Sequence, residues 1–158
     1  MEYLGVVVSH DSIKMNPVKV ARVTEWPVPT NKKEVQSFLG FTNFYRRFIE
    51  GFSQVAHPLF DFTKADSAFH WSMEEQLAFD TLWERITSAP ILALLNNSKP
   101  YCVEVDSSDF ATGAVLSQEN PEDGKWHPVM FLSKSLSSNL PSPTHSDQTR
   151  SDSIRVRV

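Results

Sequence analysis

The sequence predicts an α+β chain in which a short hairpin and a helical segment are followed by an antiparallel three-stranded meander. Three observations carry that expectation. Apolar residues recur mostly at three- and four-residue intervals from Val35 to Ile49, the period of one helix face. Tyr101–Asp106 alternates, with Tyr101, Val103 and Val105 on one side and Cys102, Glu104 and Asp106 on the other. Two further strand-like runs, Ala111–Gln118 and Trp126–Ser133, are separated by the turn residues Asn120-Pro121 and Asp123-Gly124.

The first part of the chain, from about Glu2 to Trp26, reads as a hairpin and a helix. Tyr3–Val8 is rich in β-branched and apolar residues, His10-Asp11-Ser12 is a turn signal, and Ile13–Met15 can pair back. Asn16 then caps a helix whose first position is Pro17, a residue with no amide to leave unbonded. Val20, Val23 and Thr24 share a face, Val18 lies off it, and Pro27 and Pro29 end the element.

Thr30 or Asn31 opens the most strongly helical stretch, with Glu34 at capping-box spacing from Asn31. Its stripe comprises Val35, Phe38, Leu39, Thr42, Tyr45, Phe48 and Ile49, and the helix is expected to run to Gly51. A second short helix, roughly Ser53 to Phe62, is limited by Pro58. Ser72 and Glu75 form another capping box before a helix whose inner face is expected to be Leu77, Ala78, Leu82 and Ile86, ending before Pro90. In the third strand of the meander Pro128 cannot donate a ladder hydrogen bond, which assigns that strand to a sheet edge. Beyond Ser133 the chain is crowded with Ser, Pro, Asp and Thr, and residues 139–158 read as a disordered tail whose final Ile154–Val158 has no obvious partner.

Composition narrows the function. The chain has 158 residues, 41% of them hydrophobic and 22% charged, which suits one domain or two small packed ones with a buried core. A net charge of −4 argues against a free-standing, non-specific DNA coat but leaves room for a local basic face. Cys102 is the single cysteine, so neither an internal disulfide nor a thiolate metal site can form, and a small buried hydrophobe is the expected role. No stretch is long and apolar enough to span a membrane and the N-terminus has no signal-peptide pattern, so an intracellular setting, cytoplasmic or nuclear, with no membrane partner is expected.

Asp106 is the residue with the most chemical potential. A carboxylate at a strand end is well placed to hold a hard cation, and Glu104 lies on the same side two residues earlier. An Asp before Ser107-Ser108 is, by residue type alone, more often a turn residue bonding its own backbone. The five histidines are scattered, and neither a glycine-rich phosphate loop nor a Gly-x-Ser-x-Gly elbow is present. Lys32, Lys33, Arg46 and Arg47, with Asn43 and Tyr45 between them, could lie along a phosphate backbone. From pattern alone a solvated polar face opposite the apolar stripe is favoured.

Longer motifs are more specific. Phe38-Leu39-Gly40-Phe41-Thr42-Asn43-Phe44-Tyr45-Arg46-Arg47-Phe48-Ile49, then Ala56-His57-Pro58-Leu59, closely resembles the segment after the palm in reverse transcriptases of gypsy-type LTR retrotransposons. Tyr3-Leu4-Gly5 with Val8-Ser9 looks like the primer-grip hairpin at the palm's end, and Trp26-Pro27-Val28-Pro29 is similar to the linker after it. Phe69-His70-Trp71 and Ala89-Pro90-Ile91-Leu92 resemble the connection. Val105-Asp106-Ser107-Ser108-Asp109-Phe110-Ala111-Thr112-Gly113-Ala114-Val115-Leu116-Ser117-Gln118, with His127-Pro128-Val129 and Phe131-Leu132-Ser133-Lys134, looks like the start of the adjoining ribonuclease-H-like domain.

The resemblance implies four units: 1–29 as the end of the palm, 30–90 as a thumb and connection, 91–138 as the first part of a ribonuclease-H-like domain, and 139–158 as the tail. It implies that Asp106 is the first carboxylate of a Mg²⁺-dependent nuclease site, both catalytic and metal-binding. It also implies that Tyr3, Leu4, Gly5, Asn43, Tyr45, Arg46 and Arg47 lie against an RNA–DNA hybrid or primer–template duplex, and that the partners include the rest of a Pol polyprotein or a second copy. The parent enzyme would copy RNA into DNA and hydrolyse RNA in hybrids. This sequence has no Asp-Asp pair and no Glu after Asp123, and Asn139-Leu140-Pro141-Ser142-Pro143 stands where the family's Glu-bearing helix would be. The chain alone is therefore expected to be inactive, a binding or interaction remnant being the alternative. A meander without its covering helix also leaves an open edge, from which self-association is expected.

Overall fold

The computed structural model describes residues 1–158 except Leu4, Phe110, 137–153 and Val158, with the backbone alone described for Tyr3 and for 154–157. Two four-stranded antiparallel sheets flank a helical body. The first sheet has the order β1 (Glu2–Tyr3), β2 (Val6–Val8), β3 (Ser12–Met15), β4 (Leu92–Ala93). The second contains β5 (Tyr101–Ser107), β6 (Ala111–Glu119), β7 (Trp126–Ser135) and β8 (Ile154–Arg157), in the order β7-β6-β5-β8. Between them run α1 (Pro17–Thr24), α2 (Lys32–Phe44), α3 (Phe52–Val55), α4 (His57–Phe60) and α5 (Met73–Thr87).

The helix starts follow the capping chemistry of the sequence. Asn16 Oδ1 accepts from the Val18 amide with Pro17 in the first turn, and Val23 is buried while Val18 is exposed. At α2 Asn31 Oδ1 accepts from the Glu34 amide at 3.0 Å. Glu34 Oε2 reaches back one residue further than a standard capping box, to the Thr30 amide at 2.7 Å and its hydroxyl at 3.0 Å. The Thr30 amide, the Thr30 hydroxyl and the Asn31 side chain hold the Glu34 carboxyl below its ordinary value of 4.5. A carboxyl depressed by folding stabilises the chain above its unfolded pKa, and the gain is lost as pH falls through the folded one. Urea midpoints are therefore expected to fall below about pH 4.5 less steeply in Glu34→Gln than in the parent chain. Equal slopes would remove Glu34 from the acid transition.

α2 is shorter than its apolar stripe. The helix stops at Phe44, Arg46–Phe48 forms a 3₁₀ turn, and Ile49 is extended, so the expected run to Gly51 is broken at Tyr45. The break lets Tyr45, Phe48 and Ile49 all bury, at 1–2% exposure, which a straight helix leaving the core would not permit. The following helix is likewise split, into α3, α4 and a 3₁₀ turn at Asp61–Thr63, with Pro58 in the first turn of α4. The α5 capping box forms as expected, with Glu75 accepting from the Ser72 amide at 2.8 Å. Of its expected inner face Ala78, Leu82 and Ile86 are buried, whereas Leu77 is 68% exposed and Phe79 is buried in its stead.

One core joins the hairpin to the helices. Phe38 packs its ring 4.6 Å from Phe79 and edge-on to Trp26 at 5.7 Å, and the Trp83 indole donates to the Val23 carbonyl at 2.9 Å. Leu92 is fully buried and β4 pairs with β3, so Leu92–Ala93, expected near the start of the ribonuclease-H-like unit, join the first sheet. The expected single first strand is divided by Gly5 into β1 and β2.

The expected meander is present. Pro128 lies on β7, an edge strand, opposite Ser117 where the register slips, so no ladder bond is lost to the missing amide. Residues 139–153 of the expected tail lie outside the described residues. Ile154–Arg157, read as having no partner, instead pairs antiparallel with Cys102–Val105 as β8. That strand covers the β5 edge of the meander, whose open edge was one ground, with the missing covering helix, for the expectation of self-association; a partner so distant along the chain leaves no local sequence signal.

Candidate nucleic-acid interface

α2 has two faces. Val35, Phe38, Leu39 and Thr42 face the core, and Lys33, Ser37, Gly40 and Phe44, at intervals of four, three and four residues, face solvent. Phe44 is 55% exposed beside the buried ring of Tyr45, an unusual position for a phenylalanine. Gly40 leaves open space: beyond its chain neighbours and the backbone of its own helix, no atom lies within 4 Å of where a Cβ would stand. This face is therefore a short track on which a ligand can approach the backbone and end against a ring.

The track ends at the β1–β2 turn. Gly5 has φ +82°, and a Cβ there would lie 2.7 Å from Tyr45 Oη and 3.4 Å from Phe44 Cε1. Both the backbone angle and the lack of space require glycine. Tyr45 Oη donates to the Gly5 carbonyl at 3.1 Å, and the Phe44 and Tyr45 rings meet edge to face at 4.9 Å. The structure thus brings together Gly5 and Phe44, while the exposed Asn43 accepts from Arg46 Nη1 at 3.4 Å. Tyr3 contributes backbone pairing with Val6, and Leu4 lies outside the described residues.

Three expected contact residues are occupied by packing. Tyr45 is 2% exposed, its phenol pKa raised by burial, and its side chain supports the turn through Gly5. Arg46 crosses to the second sheet: Nη2 donates to the Ser133 carbonyl and, at 3.5 Å, to Ser53 Oγ, and the guanidinium stands 5.4 Å from the Phe52 ring centre. The Ser53 amide donates to Ser133 Oγ at 2.8 Å in the same buried junction. Arg47 is half-buried over Phe48, with Nε buried and unbonded among the described residues. The 3₁₀ turn causes this, because it advances each residue by about 120° rather than 100° and swings both arginines off the α2 surface. Lys32 is also committed, donating to the carbonyls of Lys64, Ala65 and Ser67. Sequence reasoning missed Phe44 and Gly40, although both lie off the apolar stripe.

Asp106 stands at the exposed end of β5, opposite Gly113. The turn that follows is closed by Ser108, whose amide donates to the Ala111 carbonyl at 2.9 Å and whose Oγ accepts from the Ala111 amide at 3.2 Å. Asp106 is thus not the residue that closes its own turn. It opens on a cleft of about 500 Å³ between the β5–β6 face and the helices, lined by Glu50, Gln54, Arg85, Glu104, Asp106 and Ser108 among others. A Mg²⁺ ion takes several oxygen ligands. Among the described residues no group of three His, Cys, Asp or Glu side chains is placed to hold a metal, so this donor set does not fit the ion and no chemical step is derived through it.

Comparison with known proteins agrees with this architecture. Residues 71–145 match the RNase H-like domain found in reverse transcriptase. The chain is 37% identical over 135 residues to the retrovirus-related Pol polyprotein from transposon 297 of Drosophila melanogaster, covering 85% of this chain and 12% of that protein. It is 38% identical over 135 residues to the Gag-Pol polyprotein of baboon endogenous virus, covering 85% of this chain and 8% of the other. The Transposon Tf2-3 polyprotein of Schizosaccharomyces pombe is 34% identical over 137 residues, 87% of this chain and 10% of its own length. The chain thus spans only about a tenth of these relatives. Among solved structures, the foamy viral protease-reverse transcriptase in complex with RNA/DNA hybrid superposes with a TM-score of 0.70 at 21% identity, over 87% of this chain and 19% of that one. The same enzyme with dsDNA gives 0.69, over 87% of this chain and 29% of that one. At 21% identity this second kind of likeness is one of fold.

Proposed function

We propose that this chain, which belongs to the Pol polyproteins of LTR retrotransposons and endogenous retroviruses, binds an RNA–DNA hybrid or primer–template duplex along the exposed face of α2. The observation that carries the reading is Phe44, a half-exposed ring held edge-on by Tyr45 beside Gly5, at the end of a track where Gly40 presents bare backbone. A ring stacks on or wedges against a nucleotide without regard to sequence, and Lys33 supplies a phosphate contact at the other end. With Arg46 and Lys32 committed elsewhere, affinity rests less on charge than the count of basic residues suggests. An RNA–DNA substrate implies an intracellular, cytoplasmic or nuclear, setting; among the described residues no helix is long and apolar enough to cross a membrane.

Copying RNA into DNA and Mg²⁺-dependent hydrolysis of the RNA strand belong, in this reading, to the parent polyprotein. The 158-residue chain contributes Asp106 and binds without cutting. A second reading is favoured by the Asp106 carboxylate, which opens on a cleft and makes no hydrogen bond among the described residues. There, the rest of a Pol polyprotein or a second copy completes the ligand set. Labelled hybrid, read for binding and for Mg²⁺-dependent cleavage in the same tubes, separates them. Salt-sensitive binding without cleavage, not weakened by Asp106→Asn, is the expected result. Cleavage abolished by that substitution selects the second reading, and absence of binding overturns the proposal.

A further inference from the structure

The cleft before Asp106 contains a cation that the duplex track does not use. Arg85 projects from α5 into this cleft, half-buried, with Nη1 donating to the Glu50 carbonyl. Gly51 stands beside it, so a side chain's Cβ at that position would lie 3.6 Å from Nη1. Three carboxylates, those of Glu50, Glu104 and Asp106, line the same cleft, and Arg85 is the one cation among its described lining residues. Arg85 nevertheless forms no ion pair with any of them, and its remaining N–H groups make no hydrogen bond among the described residues. An arginine fixed at one nitrogen, with the rest of its planar fork open in a concave site, is arranged to receive a tetrahedral or planar anion.

We infer that Arg85 binds a backbone phosphate of the nucleic-acid strand that enters the cleft toward Asp106. The inference rests on the hybrid-binding reading and extends it: α2 holds the duplex at one place and Arg85 holds one strand at another. A polyanionic strand approaching this cleft meets three negative side chains, and the guanidinium offsets them at the one point where a phosphate can be bonded. Arg85 is a binding and positioning residue in this account, with no part in proton transfer.

The test uses the full chain and a labelled RNA–DNA hybrid titrated across a salt series. Losing one phosphate contact lowers the slope of log K against log salt by about 0.9 and weakens binding roughly eightfold near 0.1 M salt. Arg85→Gln is expected to show both changes, while Arg85→Lys keeps the slope and loses less affinity. Parental affinity and slope in Arg85→Gln would overturn the inference. A measurement without substitution guards against misfolding: the side-chain Nε–H NMR signal of Arg85 should move when hybrid is added. A signal that stays fixed while the amides of α2 shift overturns the Arg85 site alone. No salt-sensitive binding by the parent chain overturns the hybrid reading beneath it.

Discussion

Replacing Phe44 with alanine is expected to weaken RNA–DNA hybrid binding about 5- to 150-fold, the range that follows from the ~1–3 kcal/mol a stacked aromatic ring contributes per base. The loss should be nearly independent of salt, because it removes a ring and no charge. Stability should change little by comparison. Phe44 is 55% exposed, so the structural cost is mainly its edge-to-face contact with Tyr45, worth about 0.5–1.5 kcal/mol. Anisotropy titrations at two salt concentrations, beside a urea melt of the same sample, check both halves. Unaltered affinity in Phe44→Ala would leave the ring as an exposed packing residue only.

The opposite face of the same helix gives the opposite result. Phe38 is fully buried between Trp26 and Phe79, and truncating it to alanine leaves a cavity where three elements meet. Such substitutions cost about 3–5 kcal/mol. That is a large share of the roughly 5–15 kcal/mol by which ordinary domains are stable. The urea midpoint of Phe38→Ala should fall steeply. Hybrid affinity, measured where the variant is still folded, should stay close to that of the parent. An unfolding free energy lowered by less than about 1 kcal/mol would mean that the neighbouring aromatics collapse into the space. The expected pair of results separates two phenylalanines six residues apart on one helix by function, one sustaining the fold and the other the interface.

Local chemistry was the legible part of this chain. Asn16 with Pro17, Asn31 and Ser72 with Glu75 announce three helix starts, and each forms because an orphan amide finds a side-chain acceptor within three residues. Pro128 announces an edge strand for an equally local reason, its missing amide. The failures are those of distance. Nothing within reach of Tyr45 in sequence says that the helix must break there. The break is set by Gly5, 40 residues away, and by Ser133, which receives Arg46 across 87 residues. On α5 Phe79 is buried where Leu77 was expected, because its ring fills space between Phe38 and Trp71, a demand of the tertiary core that helical periodicity does not encode.

The site divides along the same line. Asp106 at a strand end was legible from alternation and from the family motif, and the structure places it at the mouth of a cleft. The arginines were legible as charges but not as a junction, since a guanidinium pointed at phosphate and one pointed at a buried carbonyl have the same sequence. Gln118 makes the same point at the other end of that junction. It is 5% exposed, and its amide bonds the Asn96 backbone in both directions at 2.8 Å and the Lys99 carbonyl at 3.1 Å, tying the β6 strand to the loop after β4. These paired contacts give the helical body and the second sheet a fixed relation, so that the α2 track and the Asp106 cleft belong to one framework.

The most direct test of the central claim is an amide chemical-shift map of the full chain with a short RNA–DNA hybrid. The account predicts perturbations concentrated at Lys33, Ser37, Gly40, Asn43, Phe44 and Gly5, with the buried face at Val35, Phe38 and Leu39 little affected. Perturbations confined to other surfaces, such as the β6–β7 turn at Asn120–Gly124, would contradict it.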